Sequence, residues 1–105
     1  MTINNFDIDN FLQHYWQQKP LLIRNAFPDF ENPLSPEELA GLACEEAIES
    51  RLITEENKQW YLQHGPIEEA IFQSLPEKDW TLLVQAVDHW VPEVAELLNK
   101  FRFIP

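Results

Sequence analysis

Eight prolines divide the 105 residues into short segments. Proline lacks an N–H and fixes its own φ, so it stops or bends helices and strands. The residue before it is also pushed out of the helical region. Lys19-Pro20 therefore closes whatever helix precedes it. Ile8, Phe11, Leu12, Tyr15 and Trp16 fall at i, i+3, i+4, i+7 and i+8. That single apolar stripe predicts a helix over 7–18, with Asp7 as its N-cap. Leu21 to Arg24 reads as a short buried strand, and Asn25 to Pro33 as a loop.

Ser35-Pro36-Glu37-Glu38 is the strongest local signal. Serine caps, proline suits the first helical position, and glutamate three residues after serine completes a capping box. A helix over 36–46 follows, burying Leu39, Leu42 and Ala43. Arg51-Leu52-Ile53-Thr54 and Gln59-Trp60-Tyr61-Leu62 flank Glu55-Glu56-Asn57-Lys58, a hairpin with a polar turn. Strands are expected at 50–55 and 59–63. His64-Gly65-Pro66 breaks the second, and one or two helical turns fit between Ile67 and Ser74. The run Trp80 to Val87 is apolar, short and carries Thr and Val, which favours a strand over 80–87. A helix over 91–100 then carries Val94, Leu97, Leu98 and Phe101 on one face. The expected class is α+β, one domain over 1–105, with helices packed on a small mixed sheet. The expected buried set is Leu12, Trp16, Leu22, Leu39, Leu42, Leu52, Leu83 and Val87.

Function classes are bounded by charge and by cysteine. The formal net charge is −11, which opposes binding to nucleic acid phosphates and suits a basic partner. Acid is concentrated in Asp29, Glu31, Glu37, Glu38, Glu45, Glu46, Glu49, Glu55 and Glu56, with Arg51 the sole cation of that stretch. Its simplest role is a solvated face that maintains solubility. Cys44 is the only cysteine, so no internal disulfide framework exists. No run approaches the ~18–20 apolar residues of a membrane span. The segment Met1 to Asp7 has no basic residue or apolar core, unlike a secretion signal. These features point to a soluble cytoplasmic protein.

No catalytic, cofactor-binding or metal-binding residue emerges from the motifs. His14, His64 and His89 stand apart, without an H-x-D, H-x-E, H-E-x-x-H or C-x-x-C pattern. Asp88 and His89 are adjacent, and on a strand they would point to opposite faces. Cys44, between helix residues and Glu45-Glu46, reads as a small packing residue. The pairs Glu37-Glu38, Glu45-Glu46, Glu55-Glu56 and Glu68-Glu69 read as solvated rather than as carboxylates across a cleft. With only Gly41 and Gly65, no glycine-rich phosphate loop can form. Trp16, Trp60, Trp80 and Trp90 sit at element boundaries and read as core anchors whose N–H groups reach water or a carbonyl.

The segment Phe11-Leu12-Gln13-His14-Tyr15-Trp16-Gln17-Gln18-Lys19-Pro20-Leu21-Leu22-Ile23-Arg24 resembles the opening of Jumonji-C domains, a helix with F-L-x-x-x-W followed by K-P and an apolar strand. Ser35 to Ala43, Ser50 to Ile53, His64-Gly65-Pro66 and Trp80 to Trp90 follow in an order similar to that of bacterial ribosomal oxygenases. The resemblance runs from Phe6 to Pro105. It implies the leading portion of a Jumonji-C, cupin-type double-stranded β-helix. It also implies iron(II) and 2-oxoglutarate as cofactors, and hydroxylation of an arginine on a basic large-subunit ribosomal protein. The family holds iron through an H-x-D…H facial triad. Nothing in this sequence matches that triad, so no cofactor is expected to bind this chain.

Two functions are therefore expected to compete. The chain is a fragment of such an oxygenase, without turnover of its own, or it is an acidic interaction module that binds a basic protein. In the first case strand Thr81 to Val87 would lack a neighbour, and self-association through a bare sheet edge, or only marginal stability, is expected.

Overall fold

The computed structural model describes residues 3–105. Met1 and Thr2, at the start of the N-terminal segment read above, lie outside them. The described residues form, in chain order, α1 (Ile8–His14), α2 (Pro36–Ala43), β1 (Ser50–Glu56), β2 (Gln59–His64), α3 (Glu69–Ser74), β3 (Trp80–Val84) and α4 (Pro92–Asn99). A 3-10 turn, Val87–His89, leads into α4.

Local chemistry sets the helix starts. The Asp7 side chain accepts from the Asn10 N–H at 3.1 Å, capping α1. At α2 the capping box is complete: Ser35 Oγ accepts from the Glu38 N–H, and the Ser35 N–H donates to Glu38 Oε1, each at 3.1 Å. Pro92 occupies the first turn of α4, where a missing N–H costs nothing.

Helix ends came earlier than expected. α1 stops at His14 rather than near Gln18, because Gln17 takes a left-handed conformation with φ 58° and the Trp16 N–H reaches back to Phe11 O at 2.9 Å. α2 stops at Ala43 rather than Glu46. Its last turn tightens, with the Cys44 N–H donating to Gly41 O at 3.2 Å and the Glu45 N–H to Leu42 O at 3.1 Å.

The sheet is antiparallel throughout, in the order β2-β1-β3, and not mixed. β1 and β2 meet in a two-residue turn, Asn57-Lys58, with φ 53° and 65°. Both residues at positive φ make it the twisted turn that matches strand twist, built here without glycine. Two expected strand features are absent. Leu21 to Arg24 is not a strand: it pairs with none of the three strands, and Leu22 is 73% exposed. The 80–87 strand ends at Val84, because Ala86 turns left-handed (φ 55°) and Val87 enters the 3-10 turn.

Register places Leu52 opposite Leu82 and Gln63, and Ser50 opposite Val84. This face packs against α2 and α3. Ala43, Leu52 and Ile67 form the buried centre, with Ile71, Phe72, Leu75, Leu82 and Val84 around them. Leu52 is buried as expected, while Leu12, Trp16, Leu39, Leu42 and Val87 are half-buried. Leu22 and Leu83 are exposed instead of buried. A second, aromatic cluster joins the two ends of the described chain. Phe6 and Phe11 meet Phe103 at ring separations of 5.3 and 6.1 Å, and Phe27 lies 6.3 Å from Phe101. The two clusters give an elongated body of 48 × 32 × 25 Å with a radius of gyration of 17.7 Å. A compact domain of this length would have about 13 Å.

Candidate functional site

Side chains alternate along a strand, so the residues between the buried ones face the other way. Ile53 pairs with Leu62 and Thr81, Glu55 with Trp60, and Arg51 with Leu83 and His64. Much of this second face is open to solvent. Trp60 is 71% exposed, Leu62 56% and Leu83 46%. Trp80 and Trp90 are exposed too, so three of the four tryptophans are not the core anchors expected. Trp60 lies on the outer sheet face and Trp90 after the 3-10 turn, while Trp80 shares the face of Leu52 but stands at the first position of β3, and tryptophan spacing reveals none of these placements. Trp80 does satisfy its ring N–H, which donates to Pro76 O at 2.7 Å. Arg51 reaches Glu49 at 3.5 Å, and its enclosed Nε has no hydrogen-bond partner among the described residues.

The titratable groups do not converge. His14 is exposed on α1 and His64 at the end of β2. His89 lies 3.7 Å from Asp88, since both sit on the 3-10 turn and not on opposite faces of a strand. Cys44 is half-buried and its thiol donates to Ala40 O at 3.4 Å, the packing role expected. Of the acidic stretch, all but the half-buried Glu55 are exposed. Among the described residues no three His, Cys, Asp or Glu side chains approach closely enough to hold a metal ion. An iron facial triad therefore does not fit the donors present. Among those residues, too, no helix is long and apolar enough to cross a membrane.

No protein-family profile matches the chain. Individual proteins do. It is 43% identical over 96 residues to the ribosomal protein uL16 3-hydroxylase of Escherichia coli, covering 91% of this chain and 25% of that one. It is 44% identical over 96 residues to a probable ribosomal oxygenase of Haemophilus influenzae, covering 90% of this chain and 24% of the relative. This chain is homologous to about a quarter of the length of the bacterial ribosomal oxygenases it matches. The backbone agrees. The solved structure of the Escherichia coli ribosomal oxygenase YcfD with cobalt and 2-oxoglutarate superposes with a TM-score of 0.85 at 40% identity, over 96% of this chain and 27% of that one. The three strands and four helices thus match part of a ribosomal oxygenase that binds a metal and 2-oxoglutarate. The chain spans about a quarter of the length of these relatives.

Proposed function

We propose that this chain is the leading segment of a Jumonji-C oxygenase domain that hydroxylates an arginine of ribosomal protein uL16, with iron(II) and 2-oxoglutarate as cofactors. The observation that carries this reading is the joint agreement of sequence and backbone, 40% identity at a TM-score of 0.85 over 96% of the chain. In this reading the segment is structural. It supplies α2, α3 and a three-stranded sheet whose second face is left for other polypeptide of the same domain to cover. The cofactors are held elsewhere in that domain, because the donors of this segment do not fit a facial triad.

A chimera tests the reading. The 96 aligned residues replace their counterparts in the Escherichia coli hydroxylase, and the product is assayed by mass spectrometry of uL16 incubated with iron(II) and 2-oxoglutarate. Gain of one oxygen atom on an arginine is expected. A folded, soluble chimera that leaves uL16 unmodified while the parent enzyme modifies it would refute the proposal.

A further inference from the structure

Beside α4 lies a groove made of two adjoining hollows. The first, about 380 Å³, is lined by Phe30, Glu31, Asn32, Pro33, Glu93, Glu96, Leu97 and Lys100. The second, about 490 Å³, shares Phe30 and Leu97 with it and adds Phe27 and Phe101. Its floor is aromatic: Phe27 stands 6.4 Å from Phe30 and 6.3 Å from Phe101. Phe30 and Phe101 are exposed on this floor, 49% and 39%. The rim of the first hollow has three carboxylates against one ammonium. Among the described residues, Glu31, Glu93 and Glu96 make no ion pair and no side-chain hydrogen bond.

We infer that this groove docks a short basic segment of another protein, with an arginine in the first hollow and an adjacent apolar side chain in the second. Charge complementarity selects the partner. An anion would meet three unpaired carboxylates and an overall charge of −11. A purely apolar segment would strand those carboxylates against its own surface. A guanidinium answers both features, because it forms paired hydrogen bonds with carboxylate and stacks flat on an aromatic ring such as Phe30. Lysine offers one compact charge and no such plane. The inference uses only the groove and does not depend on the oxygenase reading.

The test is calorimetric titration of the full chain with a synthetic peptide of alternating arginine and leucine. Saturable binding is expected, weakening as salt rises. Glu93→Gln/Glu96→Gln should weaken it on the order of tenfold, the loss of charge-assisted hydrogen bonds. Glu45→Gln/Glu46→Gln removes the same charge from exposed positions that line neither hollow, and should change affinity less than about twofold. Equal weakening by both pairs would show attraction to overall charge alone and overturn the inference. So would an absence of saturable binding to the unmodified chain. Both variant pairs are exposed Glu→Gln changes, so circular dichroism should confirm an unaltered fold in each.

Discussion

Gly65→Ala should be far more costly than a surface change of one methyl. Gly65 follows β2 and lies against the first residue of β1, its N–H donating to Ser50 O at 2.8 Å. A Cβ built there overlaps Ser50 Oγ and stands 3.3 Å from Ser50 Cβ and 3.5 Å from Ala43 O. Ser50 is 1% exposed, so its hydroxyl cannot swing into water. It now donates to Ala43 O at 3.4 Å. Rotating it away forfeits that bond and leaves a buried hydroxyl unpaired, about 1–3 kcal/mol. Shifting the strand instead is overpacking, also about 1–3 kcal/mol. Gly65 has no positive φ, so alanine adds no backbone strain and recovers about 0.4–1 kcal/mol from the unfolded chain. The net expectation is a loss of about 1–2 kcal/mol, read from urea melts followed by tryptophan fluorescence. Ser50→Ala removes the overlapping oxygen while the Ala43 carbonyl keeps the Ile67 N–H at 2.9 Å. The double variant should therefore lose less than the sum of the singles, by about 1 kcal/mol. A Gly65→Ala melt within about 0.5 kcal/mol of the parent, or strict additivity, would refute the packing argument.

Lys58→Gly should raise stability by about 0.5–1 kcal/mol in the same melts, since Lys58 holds φ 65° and a left-handed lysine costs more than glycine's added freedom. The bare sheet face should make the chain self-associate: sedimentation at several concentrations should show the average mass rising, and Leu83→Lys should suppress the rise. A concentration-independent monomer would count against that expectation.

Where partners lie within a few residues of each other, the sequence was readable. Asp7 with Asn10, Ser35 with Glu38, and the polar turn between two apolar runs each hold both halves of an interaction in one short window; the caps appeared as expected, and the hairpin formed with Glu55 and Glu56 in β1 rather than in its turn. Where the decisive contact is distant, reading failed. Leu21 to Arg24 has strand composition, yet a strand exists only through a neighbour, and β2, β1 and β3 pair among themselves. Ala86 gives no signal that it will turn left-handed, so β3 seemed three residues longer than it is. The groove was invisible for the same reason. Glu31 belonged to the acidic stretch and Glu93 and Glu96 to the last helix, and only the fold lays one beside the others.

The central strand shows why this chain builds so modest a core. β1 carries one apolar residue on each side, Leu52 and Ile53, and β3 places Leu82 and Leu83 on opposite sides in the same way. Strands of that kind suit a sheet covered on both faces, whereas a sheet open to water alternates apolar and polar residues. Here α2 and α3 cover one face, where Leu52 is 3% exposed. The other presents exposed Leu62, Leu83 and Trp60 beside half-buried Ile53. The aromatic cluster of Phe6, Phe11 and Phe103 does not supply that cover, since it ties α1 to the residues after α4. Burial of the four side chains would be favourable at roughly 25 cal/mol per Å² of apolar surface. The proposal of a leading oxygenase segment accounts for this composition: residues placed for a two-sided core, in a chain that covers one side.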